Sequence, residues 1–101
     1  LREKQEEVER FFEEHQLEGT TPFRLLDLVS EIGEVVKDAT KSAEYGLNQE
    51  NLDVKEDEIG DVLFSLFAVC NDLGIDAEDA FNEAIEKYER RIDKKGDPSS
   101  E

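Results

Sequence analysis

Two short stretches carry the residues best suited to chemistry: EIGEVV at 31–36 and EIGDVL at 58–63. Each holds two carboxylates three residues apart, Glu31 with Glu34 and Glu58 with Asp61. On a helix, that spacing puts both acids of a pair on one face, a turn apart. Four carboxylates brought together repel unless a cation sits among them. Only Lys37 is placed to reach Glu34, and only Lys55 stands beside Glu58. An all-oxygen set calls for a hard cation, and Mg²⁺, which keeps waters and shares its shell with phosphate, suits it better than Ca²⁺. Zinc is disfavoured by a single His and a single Cys on different elements. A di-iron bundle would pair Glu with His at i, i+3, and His15 is far from both motifs. The competing reading is that acid stripes beside apolar arcs are solvated helix faces, which a chain with 28 Asp and Glu produces readily.

The elements that must position these acids read as four helices, an all-α bundle. The first spans roughly 2–16, with Val8, Phe11, Phe12 and Leu17 near helical period. Thr21 as N-cap and Pro22 as first helical residue open a second helix that runs to about 45–46. Its apolar arc of Leu25, Leu28, Val29, Ile32, Val35, Val36, Ala39 and Ala43 is expected to face the core, with Asp27, Glu31, Glu34 and Asp38 striped beside it. After the loop GLNQENLD, Asp53 and Glu56 suggest a capping box for a third helix ending at Gly74. Asp76 caps the fourth. Gly33 and Gly60 stand at matching places inside helices, where each costs about 1 kcal/mol against alanine, which suggests close packing.

Composition narrows the classes. The chain has 101 residues, room for one domain and a modest core, so self-association is expected. Twelve Lys and Arg against 28 Asp and Glu give a net charge of −16, which argues against nucleic acid and anionic membranes as partners. The lone Cys70 excludes an internal disulfide and suits a reducing cytoplasm. No apolar run is long enough for a membrane span, and LREKQEEVER lacks the apolar core of a signal peptide. Phe64 and Phe67 lie off the main arc of the third helix, and Phe81 and Tyr88 align on the fourth. These aromatics are expected at an interface between copies near the third helix.

The order Glu31-x-x-Glu34, then 23 residues, then Glu58-x-x-Asp61, each in an IG context with DVLF following the second, resembles the MazG-like nucleoside triphosphate pyrophosphohydrolases. LLDLVSEIGEVVKDATKSAEYG, DEIGDVLFSLFAVCNDLGID and KYERRI extend the resemblance over roughly residues 1–93, leaving 94–101 as an expected disordered tail. The resemblance implies a four-helix, all-α enzyme, a homodimer or dimer of dimers, that cleaves triphosphates between the α and β phosphates and serves nucleotide-pool house-cleaning. It implies Mg²⁺, with Mn²⁺ as a substitute, held by Glu31, Glu34, Glu58 and Asp61, with Glu31 or Glu34 acting on water. The family's K-F-E-R-R-F segment matches Lys87 to Ile92, which makes Lys87 and Arg91 phosphate contacts. A simpler role for that pair is to complement the negative end of the helix dipole. Ser30, Ser65 and Ile85 depart from the family pattern, where an acid, a base-stacking aromatic and an asparagine are frequent. Two alternatives stand beside this reading: a non-enzymatic acidic helical module, and the same fold acting on phosphoribosyl-ATP or dUTP.

Overall fold

Helix α1 (Arg2–Glu14) buries Val8 and Gln5 on one side and leaves its charges in water. α2 covers Thr21–Ser42, α3 Glu56–Leu73 and α4 Ala77–Lys95. The computed structural model describes residues 1–100, and no strand occurs among them. The chain is all-helical, as its periodicity predicts.

The helix ends follow local chemistry. Thr20, in extended backbone, precedes α2, so Pro22 is its second residue rather than its first, still inside the turn that needs no N–H donor. α2 ends at Ser42, short of the expected 45–46. Glu44, Tyr45 and Gly46 all take positive φ (52°, 56° and 92°), a left-handed run that no α-helix continues through. The chain returns through two short 3₁₀ turns, Glu44–Gly46 and Gln49–Asn51. The Asp53 N–H then donates to Ser42 Oγ at 2.8 Å and pins the return. The expected Asp53–Glu56 capping box does not form, because Lys55 is the residue at the cap and contributes no side-chain bond. Gly74, at φ 67°, stops α3, and Asp76 caps α4 by accepting from Asp79 N–H at 3.0 Å.

α2 and α3 form an antiparallel hairpin with a fixed register. Arg24 Nε stands 2.7 Å from Asp72 Oδ2, Asp38 meets Glu58, and Ser42 meets Asp53. Fourteen residues forward on α2, from 24 to 38, thus match fourteen back on α3, from 72 to 58. α1 packs on the flank of α3, where Val8, Phe67 and Ala68 form a buried cluster with Phe12 and Ala77 against it. Phe64 is held edge-on by Phe11 at 5.5 Å and tilted against Phe12 at 5.4 Å. Phe67 is therefore buried in its own chain's cluster with α1, which corrects its assignment to an interface between copies, whereas Phe64 touches α1 on one side and stays 36% exposed.

Gln5 clasps three elements together. Its Nε2 donates to Asn71 Oδ1 and the Ile75 carbonyl, at 3.0 and 2.7 Å, and its Oε1 accepts from Ala77 N–H at 2.7 Å. Beside it, Arg2 reaches Asp76, Glu78 and Asp79 at the start of α4. The α2 arc, by contrast, is largely open. Val29 is 67% exposed and Val36 58%, and on α3 Ile59 is 46% exposed. Val29 and Val36 belong to the arc expected to face a core, which one chain does not supply.

Candidate metal and nucleotide site

The register fixes where each acid lies. Halfway between the 24–72 and 38–58 contacts, Glu31 falls opposite Ser65, and by the same count Glu34 falls opposite Val62. The four acids therefore occupy one stretch of the α2–α3 hairpin, about 10 Å long at 1.5 Å per residue. α2 stops early, and 43–55 carries the chain back alongside.

The four differ in setting. Glu31 and Glu58 are half-buried, whereas Glu34 and Asp61 are exposed. Lys37 Nζ lies 3.7 Å from Glu34 Oε2, a weak ion pair in water. Glu58 is the perturbed member. Its carboxyl is pushed above its ordinary value, first by a hydrogen bond shared with the Asp38 side chain, then by desolvation, with Lys55 opposing. Its Oε2 is shut off from water and finds no donor in the chain. Two ionised carboxylates have no proton to share, so one must take a proton or a cation must stand in for it. Asp38, seven residues beyond Glu31 on the same stripe, thus lies against Glu58. The sequence showed it on the stripe but gave no sign that it would oppose Glu58.

Among the described residues, no three His, Cys, Asp or Glu side chains converge into a ready-made metal cage. The donor set still fits a hard divalent cation. Glu58 carries an oxygen without a donor and lies beside a second carboxylate, and the exposed Glu34 and Asp61 leave room for water and phosphate in the shell.

One helical turn from Glu31 on α2, and one from Asp61 on α3, a cavity of about 60 Å³ opens between Phe12, Arg24, Asp27, Phe64, Ser65 and Ala68. Arg24 stacks on Phe12, 4.3 Å from guanidinium carbon to ring centroid. An apolar wall thus carries a carboxylate, a hydroxyl and a guanidinium at its rim. Helix α1 supplies Phe12, a contribution that the spacing of the acids could not announce. A larger cavity of about 310 Å³, walled by Arg2, Gln5, Asn71 and Asp76, lies at the other end of α3 and belongs to the clasp.

Lys87 and Arg91 stand apart from the acids. Among the described residues neither pairs with any carboxylate; both lean on Tyr88 of their own helix, 5.1 and 5.9 Å from its ring centroid. Arg91 Nη1 also donates to the Pro98 carbonyl at 3.2 Å.

The profile of the MazG nucleotide pyrophosphohydrolase domain matches residues 22–95, that is α2, the return, α3 and α4. The chain belongs to the MazG nucleotide pyrophosphohydrolase family. Searches of curated proteins and of solved structures return no significant match. Membership carries nucleotide pyrophosphohydrolase activity in general, and both acid pairs and the basic segment of α4 fall inside the matched span. No helix among the described residues is long and apolar enough to cross a membrane.

Proposed function

We propose that this MazG protein is a Mg²⁺-dependent nucleoside triphosphate pyrophosphohydrolase, releasing nucleoside monophosphate and pyrophosphate. The observation that supports it most directly is the Asp38–Glu58 opposition in the middle of an antiparallel acid hairpin, with one carboxylate oxygen lacking any donor. Glu31, Glu34, Glu58 and Asp61 would hold the metal, and Mn²⁺ should substitute. When bound, the metal supplies charge neutralisation at phosphate oxygens. Phosphoryl-type transfer needs little covalent work beyond that: position, a fixed water and electrostatic help for the leaving group.

The chain's own groups divide that work. Glu31, half-buried on the α2 side of the seam, or Glu34, exposed one turn on, orients or deprotonates the attacking water. The triphosphate runs along the acid stretch. Lys87 and Arg91 steady the departing pyrophosphate as charge-assisted donors. The assembly is a homodimer or a dimer of dimers, and its role is clearance of unwanted nucleotides. Incubation with a panel of nucleoside triphosphates and Mg²⁺, resolved by chromatography, tests the reading. Monophosphate and pyrophosphate should appear in equal amounts. Turnover of none of the panel, with the protein folded, would overturn it.

A further inference from the structure

Helix α4 does not release the chain straight into solvent. Gly96, left-handed at φ 85°, closes the helix with its N–H on the Ile92 carbonyl at 2.8 Å. Beyond it the chain turns back on the helix it has just left. Asp97 organises that turn: its Oδ1 accepts from the Ser99 hydroxyl and from the Ser99 N–H, the latter at 2.9 Å. Those two bonds, the hydroxyl's first, hold the Asp97 carboxyl below the ordinary aspartate range. Pro98, between the two residues, fixes its own φ and stiffens the turn.

The turn aims two oxygens at the cations of α4. The Pro98 carbonyl accepts from Arg91 Nη1 at 3.2 Å, and the Ser99 hydroxyl oxygen accepts from Lys95 Nζ at 3.3 Å. Lys87, Arg91 and Lys95 stand at i, i+4 and i+8, a line of cations along one helix face. The tail thus occupies donors at the outer end of that line. Its hold is loose. These groups are exposed apart from half-buried Arg91, and the Pro98 carbonyl takes one guanidinium N–H where a phosphate takes two in parallel. A stronger acceptor displaces such a tail instead of being shut out by it.

We propose that residues 96–99 are an internal competitor for the phosphate-binding end of α4: the strap covers Arg91 and Lys95, gives way to the pyrophosphate portion of a triphosphate, and closes again as pyrophosphate departs. The class of ligand rests on the pyrophosphohydrolase reading, whereas the competition rests on the contacts of the turn itself. The strap loosens the grip on substrate and, by the same amount, on the product at this end. Pyrophosphate therefore leaves faster than it would from bare cations, which matters where product release limits turnover.

Calorimetry with inorganic pyrophosphate at millimolar Mg²⁺ tests this without turnover. Pro98→Gly combined with Ser99→Ala loosens the turn and removes the Lys95 acceptor while leaving the net charge as it is. This double variant, its melting temperature unchanged, should bind pyrophosphate about two- to twelvefold more tightly than wild type, the range for one hydrogen bond that no longer has to be given up. In ¹⁵N-labelled wild type, the Asp97 and Ser99 amide signals should shift as pyrophosphate is added and saturate at the concentration where the heat does. Equal affinity in the two proteins overturns the proposal. So does pyrophosphate binding that leaves both amide signals in place, or the absence of binding to either protein. Turnover separates this result from the hydrolase reading. Tighter binding by the double variant with no triphosphate hydrolysed by wild type leaves the strap standing and removes the hydrolase. Hydrolysis by both proteins with equal pyrophosphate affinity does the reverse.

Discussion

Asp38 and Glu58 oppose each other across the α2–α3 seam, and the Oε2 of Glu58 meets neither water nor a donor. That relationship sets the sign of several measurable effects.

A divalent cation should replace the proton that this pair lacks. Turnover is expected to vanish in excess chelator and to return with Mg²⁺ or Mn²⁺. The same ions should raise the melting temperature of the substrate-free protein, because a ligand that binds only the folded state stabilises it. Full activity in excess chelator would rule out the metal site, and an unchanged melting temperature at millimolar Mg²⁺ would argue against occupancy without nucleotide.

The pH dependence follows from the direction of the Glu58 shift. A carboxyl raised in the folded state binds its proton more tightly there than in the unfolded chain. Metal-free stability should therefore be highest where Glu58 is protonated, and fall as pH rises from the ordinary carboxylate range through its raised folded value. Asp76 acts in the opposite sense. It is lowered chiefly by the Asp79 N–H and then by Arg2, so its contribution is lost as pH falls through its depressed value. Melting curves from pH 4 to 8 without metal should flatten on their upper side in Glu58→Gln. An unchanged slope would mean that the pair does not titrate as described.

Exposed acids hold no fold together. Glu34 and Asp61 are open to solvent, and Glu34 has only a loose contact with Lys37. Glu34→Gln or Asp61→Asn should abolish turnover yet leave the metal-free protein as stable as wild type or more so, since one of several repelling charges is gone. A large loss of melting temperature in both would make these acids structural.

The helices, their order, the glycine and aspartate at the α3–α4 turn, and the two acid pairs were all legible in the sequence, because period and capping act over one or two turns. What was not legible depends on how helices meet. That Asp38 opposes Glu58 follows from the register of α2 on α3, which the left-handed run at Glu44–Gly46 and the Ser42–Asp53 bond decide. Phe67 looked like an interface residue because helical phase cannot tell a face covered by α1 from one left for another chain. The α2 arc shows the converse, an apolar stripe that one chain does not bury.

Gly33 and Gly60 were expected to permit close packing, yet a Cβ at either would meet nothing within 4 Å in the chain. Alanine at either position should then stabilise the metal-free protein by about 0.5–1 kcal/mol through helix propensity alone. Denaturant unfolding measures it. A loss instead would place a second chain against these glycines.

The Gln5 clasp is the costliest point to break. Gln5 is 8% exposed, and its removal strands the Ala77 N–H and the Ile75 carbonyl in the same wall. Gln5→Ala should cost about 1–3 kcal/mol, the range for a buried group left unpaired. Loosening the base of α4 should also disturb whatever Lys87 and Arg91 contact. A cost under about 0.5 kcal/mol by denaturant unfolding would mean that water replaces the side chain without penalty.

The point of cleavage separates this enzyme from a general phosphatase. On the proposed reading, a triphosphate would present its α-phosphorus to the acid stretch, and Lys87 and Arg91 would receive what leaves. Attack there breaks the α–β anhydride, so the oxygen of water ends in the monophosphate, and pyrophosphate departs without a diphosphate intermediate. In ¹⁸O-water, mass spectrometry should find one label per monophosphate and none in pyrophosphate. Removing the charge of Lys87 or Arg91 should then lower triphosphate turnover by about 1.5–3 kcal/mol of transition-state stabilisation, the range for a charge-assisted hydrogen bond. The label position should not change, because those residues act on the leaving group and not on the water. Label found in pyrophosphate or free phosphate would place the attack at another phosphorus and refute this alignment of the substrate.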